Sequence, residues 1–283
     1  MEHLVWHDRP QLRRPVMIAA FEGWNDAGEA ATGTVELLGE RWEARPVASI
    51  DPEEFFDFTA TRPRVELDGD DDERRIVWPA NDLSVASPPG LSTDVVLLLG
   101  TEPQLKWRTF SQLVVDMAHE LEVGMVITLG ALLAEVPHTR PTPVTGSTAD
   151  PELSAMLGLA PSRYEGPTGI VGVVSQAVRR AGIPSASLWA AVPSYVPGAP
   201  SPKATLAIVE RVTTLLHTGL VLTDLEIAAA SYERQLDELV AEDEETTDYV
   251  EQLEQRFDTE EHPLRPDSIV DEVERFLREQ RGD

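Results

Sequence analysis

The pentapeptide Pro137-His138-Thr139-Arg140-Pro141 sets a titratable imidazole beside a fixed cation, boxed between two prolines at the end of the apolar run "MVITLGALLA". Such a pair suits an anionic ligand, because the imidazole titrates near neutrality and the guanidinium stays charged. The same five residues also make a rigid surface turn. Three further loops carry polar side chains. "FEGWNDAG" offers Glu22, Asn25 and Asp26, with Asp26 placed to cap the next helix. "GTEPQ" offers Glu102 after Thr101. "YEGPTGIVG" runs through Thr168 and Gly169 into a helix, whose first N–H groups could hold an anion or simply begin a tight turn.

Other chemistry is thinned by what the chain lacks. Its 283 residues contain no cysteine, which removes disulfides, thiolate-bound zinc, iron–sulfur clusters and a thiol nucleophile together. No Gly-Lys pair supports a Walker A loop, and no Gly-x-Gly-x-x-Gly follows the first apolar strand. Gly-x-Ser-x-Gly and His-Glu-x-x-His are absent, and the six histidines have no metal-ligand spacing. Neither a metal nor a cofactor is therefore expected. A net charge of −27, with Lys106 and Lys203 the only lysines, argues against binding nucleic acid through its phosphates. No run of about twenty apolar residues could span a membrane. The first fifteen residues lack a signal-peptide core, so a soluble cytoplasmic protein is expected.

The loops hang on a strand–helix alternation. Apolar runs at 15–21, 46–50, 94–100, 124–130 and 185–192 read as buried strands, and helical patterns lie at 27–42, 106–122, 168–181 and 201–218. That order predicts an α/β fold with a mainly parallel sheet and ligands beyond the strand ends. One interruption, "PRVELDGDDDERRIVWP", reads as a hairpin with Val65 and Leu67 on one arm and Ile76 and Trp78 on the other. Its acidic tip does not fit a calcium-loop template and reads as a solvated turn.

The last sixty residues differ. From Asp224 onward 21 acidic residues face 6 basic ones. Leu222, Leu225, Ala229, Tyr232, Leu236 and Leu239 recur at three- and four-residue spacings, and the same register projects to Val250, Leu253 and Phe257. This seam either caps the chain's own core or forms an oligomer or partner interface. "EDEETTD" is either part of one long helix or a turn between two, and "SIVDEVERFLRE" reads as a final amphipathic segment. The organisation expected is an α/β domain over 1–221 and an acidic helical extension over 222–283.

The loops "FEGWNDAGEAA", "GTEPQLKWRTF", "TLGALLAEVPHTRPTPVTGS", "YEGPTGIVGVV" and "SLWAAVPSYVPGAPSPKAT" together resemble the PAC2 family, relatives of the proteasome assembly chaperones, in its actinobacterial branch. The resemblance covers residues 15–220. It implies a three-layer α/β/α sandwich of phosphorylase/hydrolase-like type with a helical C-terminal extension, a homo-oligomer, and a protein-binding chaperone rather than an enzyme. A proteasome-related partner is implied with it. Two departures limit what carries over. The ending "REQRGD" lacks the hydrophobic–Tyr–x tail by which chaperone relatives dock, and Ser194, beside Tyr195, stands where a histidine is expected in this branch. The alternative function is an enzyme of that fold acting on a small anionic or nucleoside substrate. Its pocket would gather Glu22, Asn25, Asp26, Glu102, His138, Thr139, Arg140, Thr168, Gly169, Ser194 and Tyr195.

Overall fold

The computed structural model describes residues 3–68, 73–196 and 198–259. In chain order the strands are β1 (Leu4–Trp6), β2 (Val16–Glu22), β3 (Arg45–Ile50), β4 (Arg64–Asp68), β5 (Glu73–Val77), β6 (Asn81–Ala86), β7 (Val95–Thr101), β8 (Met125–Ala134), β9 (Val144–Ser147) and β10 (Ser185–Pro193). The helices are α1 (Ala30–Arg41), α2 (Trp107–Glu120), α3 (Pro151–Leu157), α4 (Ile170–Arg180), α5 (Pro202–Leu215), α6 (Thr223–Ala241) and α7 (Glu244–Thr259).

The alternation of side chains in β2 serves two helical layers at once. Val16, Ile18 and Ala20 enter a core with α1 and α5, while Met17, Ala19 and Phe21 enter one with α2 and α4. A strand buried on both faces must be apolar throughout, which is why "VMIAAF" reads as a continuous run. The result is a three-layer α/β/α sandwich. Its sheet has the order β1-β3-β6-β7-β2-β8-β10-β9.

The sheet is mixed, which corrects the expectation of a mainly parallel one. Only β7, β2, β8 and β10 run parallel. The flanking pairs β1–β3, β3–β6, β6–β7 and β10–β9 are antiparallel. Strands β1, β6 and β9 and helix α3 are too short or too polar to stand out as apolar runs. "VTGS" at 144–147 is an edge strand.

The hairpin forms as β4 and β5, with Val65 opposite Ile76, and stays outside the main sheet. Its acidic tip lies mainly outside the described residues, as does the "SIVDEVERFLRE" segment. The break between the two helices falls at Glu242–Asp243, and the rest of "EDEETTD" is helical: Asp243 Oδ2 accepts from Thr246 N–H at 3.0 Å and starts α7. Among the described residues, no helix is long and apolar enough to cross a membrane.

Candidate functional site

The eleven candidate residues do not form one pocket. The structure parts them into a cleft beside α4 and a sealed site under α6 and α7.

At the sealed site, His138 is buried and saturated. The Tyr195 hydroxyl accepts from the His138 backbone N–H at 2.8 Å and meets the ring Nδ1 at 2.7 Å. Nε2 lies 3.0 Å from Asp237 Oδ1 of α6. With the phenol donating to Nδ1, this network assigns the ring proton to Nε2, which gives it to Asp237. Burial pushes the Tyr195 hydroxyl well above its ordinary value, so the phenol stays protonated.

Arg140 is equally occupied. Its Nε and Nη2 clamp Asp258 of α7 at 2.8 and 2.7 Å, and Nη1 reaches Glu254 at 3.3 Å. Thr139 donates to Glu254, and Lys203 pairs with Glu233 and with the His138 carbonyl. The anion expected at the His-Thr-Arg loop is thus supplied by the protein's own acidic helices. The cavity left among Pro137, His138, Lys203 and Tyr232 is about 10 Å³, the room of about one water. Ser194 sits at the turn after β10, its N–H bonded to the Ala134 carbonyl at 3.0 Å.

The tail seam is used up in the same docking. Tyr232 and Leu236 pack with Val196 and Tyr195, Val250 and Leu253 are buried, and Leu225 packs on the α1–α5 core. Phe257 is half-buried. Of the two readings of the seam, the structure has it capping the chain's own body. Leu239 departs from the register, at 54% exposed, and Val240 takes its place at 7%. A straight helix has 3.6 residues per turn, so a strict seven-residue seam drifts off the buried face.

The second group surrounds a different space. Asp26 caps α1 from before a 3₁₀ turn at Ala27–Glu29: Oδ1 accepts from Ala31 N–H at 2.8 Å and Thr32 N–H at 3.2 Å, and Oδ2 accepts from the Thr32 hydroxyl. Burial pushes its carboxyl up, against the pull of those hydrogen bonds. Glu102 Oε1 accepts from Ile170 N–H at 2.7 Å, so the N-terminus of α4 also holds a carboxylate of the chain itself. Thr101 donates to Glu22 at 3.2 Å. Gly169 is where Asn25 meets Glu102: a Cβ there would lie 1.9 Å from Asn25 Oδ1 and 2.7 Å from Glu102 Oε1. No L side chain but glycine's hydrogen fits.

Asn25, Asp26 and Thr168 border a cleft of about 560 Å³. It lies over β9 and β10 beneath α4, with residues 23–28, the loop that follows β2, at its edge. β2 pairs with β7 as far as Glu22, but with β8 only as far as Ala19, opposite Thr128. The two rejoin at the Asp26–Ala131 bridge. Strand order turns outward in opposite directions from β2 and β8, and open α/β sheets place ligands at such a point.

Sequence reasoning missed the β10 and α4 residues in the floor of this cleft. Ser187 and Trp189 of β10, Thr145 and Ser147 of β9, and Ser175 of α4 line it. Ser187 Oγ lies 2.7 Å from Thr128 Oγ1 and 3.5 Å from Ser175 Oγ. The signal was present in "SASLWAAV", where Ser185, Ser187 and Trp189 occupy one face of the strand and Ala186, Leu188 and Ala190 the other. Among the described residues, no group of three or more His, Asp or Glu is arranged to hold a metal ion.

The fold and both sites can now be set beside known proteins. The PAC2 family profile matches residues 20–240. The chain belongs to the PAC2 family. The match carries this PAC2 protein's family region through most of α6. A PAC2 family protein from Streptomyces avermitilis is 45% identical, over 83% of this chain and 99% of that one, with a TM-score of 0.76. The Mycobacterium tuberculosis proteasome-assembly chaperone homologue Rv2125 is 46% identical over the same shares, with a TM-score of 0.75. PbaB of Pyrococcus furiosus, an archaeal proteasome activator, shares the fold at 17% identity, with a TM-score of 0.68 over 84% of this chain and 99% of that one. No functionally curated protein matches.

Proposed function

We propose that this PAC2 protein is a cytoplasmic, non-enzymatic assembly or interaction protein with a proteasome-related partner, and that it works as a homo-oligomer. The observation that carries the reading is the β4–β5 ribbon. It leaves Val65 at 64%, Leu67 at 63%, Ile76 at 57% and Trp78 at 45% exposed. A two-stranded ribbon is marginal alone in water, and a contiguous apolar face on a soluble protein marks a contact surface. Trp78 ties the ribbon to the body through an edge-on contact with Phe58, with ring centroids 4.8 Å apart.

The names of the relatives supply the class of partner. The alternative, an enzyme for a small anionic or nucleoside substrate, rested on the fold, on Asn25 and Thr168 and, for the anion, on His138 and Arg140. The last two side chains bind the chain's own carboxylates.

Affinity isolation from native extract with an N-terminal tag tests the proposal, run beside a Val65→Asp, Ile76→Asp double variant. Proteasome subunits are expected in near-stoichiometric amount with the native chain and not with the variant. Their absence from both, or equal recovery with a folded variant, overturns it.

A further inference from the structure

The cleft beneath α4 is independent of that reading, and its chemistry is selective. At about 560 Å³ it falls within the size range of small-molecule sites. Among the described residues, no lysine, arginine or histidine lines it. Its carboxylate, Asp26, is spent on the N–H groups of α1, and the Tyr164 hydroxyl donates to the Pro167 carbonyl at 2.7 Å. The first N–H of α4 is spent on Glu102. A phosphate or carboxylate placed here would find no counter-charge and would face acidic neighbours, a desolvation cost with nothing to offset it.

What the cleft does offer is aromatic and hydroxylic. The half-buried indole of Trp189 lies over Gly130, so close that a Cβ on that residue would be 2.6 Å from the ring. Trp24 stands at the rim, 49% exposed. Between indole and helix run the hydroxyls of Ser187 and Ser175, backed by Thr128. Flat rings bury area on an indole at low entropic cost, and hydroxyls that both donate and accept can read a neutral polar edge.

We infer that this cleft is a binding site for a small uncharged ring compound, with one apolar face against Trp189 and a hydroxyl-bearing edge toward Ser175 and Ser187. Nucleosides and sugars share this chemistry, and the experiment separates them. Saturation-transfer NMR and equilibrium dialysis on the full chain would use adenosine and glucose, each beside its phosphorylated counterpart, AMP and glucose 6-phosphate. At least one neutral probe is expected to bind, with its phosphorylated counterpart at least about tenfold weaker. Ser175→Phe, which fills the cleft from α4, should abolish binding. Trp24→Ala, at an exposed position that leaves the core intact, should weaken it severalfold and serves if the first variant does not fold. No binding of either neutral probe, equal or tighter binding of the phosphates, or binding unchanged in both variants would overturn the inference.

Discussion

His138 and Asp237 are joined through the imidazole Nε2 and a carboxylate oxygen 3.0 Å apart, across ninety-nine residues of chain. With Tyr195 on the other ring nitrogen, the three side chains resemble a proton relay, yet the relay leads to no substrate space. The imidazole is 1% exposed and its neighbouring cavity holds about one water. In this PAC2 protein the group of residues works as a clasp. It fastens α6, while Arg140 fastens α7 and Arg256 of α7 reaches back to Glu135 at 3.0 Å.

The clasp predicts an uneven seam. Leu236 is 5% and Leu253 1% exposed, so truncating either to alanine leaves a cavity and should cost about 2–4 kcal/mol. Leu239→Ala, at an exposed position, should change stability by less than about 0.5 kcal/mol. Urea denaturation of the three variants distinguishes them. Equal losses at all three positions would mean that the seam faces something other than this chain.

Acid should loosen the clasp at its outer end. Arg140 holds the Asp258 carboxyl below its ordinary value. A carboxyl depressed on folding stabilises the native state above its unfolded pKa, about 3.9, and that contribution is lost as pH falls through the lower folded value. NMR titration should find Asp258 titrating below about 3.9 and returning to the ordinary value in Arg140→Ala. A native Asp258 that titrates at or above the ordinary value contradicts the pairing.

Asp26 has the opposite sign. Burial raises its carboxyl, so the native state is penalised as pH rises from the unfolded pKa through the folded one. Asp26→Ala strands the N–H groups of Ala31 and Thr32 and should cost about 1–3 kcal/mol. Asp26→Asn keeps an acceptor without the charge and should cost less than the alanine. Thermal unfolding between pH 4 and 8 is the check. A flat profile in the native chain would argue against the raised carboxyl.

Much of this was legible in the sequence, and the reason differs by element. The strands buried on both faces announced themselves as unbroken apolar runs, as "VVLLL" and "VMIAAF" did. Asp26 was read as a cap because aspartate before a small-residue helix start has few other uses. The edge strand "VTGS" and the β10 and α4 residues of the cleft floor were not read, because strand pairing, not local pattern, puts Ser147 opposite Ser187. Nor could local pattern reveal that Arg140 would meet Asp258, 118 residues later. A polar loop looks the same in sequence whether it awaits a ligand or the chain's own tail.

Gly130 offers a direct probe of the cleft floor. Gly130→Ala would set a methyl 2.6 Å from the Trp189 ring and should cost about 1–3 kcal/mol by overpacking. A shifted tryptophan emission should accompany the loss. An alanine variant of unchanged stability and emission would mean that the indole does not rest on that glycine.

The parting of β2 from β8 is closed at its far end, where the Ala131 N–H donates to the Asn25 carbonyl at 2.8 Å. The cleft is therefore bordered at Asn25 by backbone that is already tied to the sheet. A guest would find its seat already built and would meet little reorganisation cost on arrival.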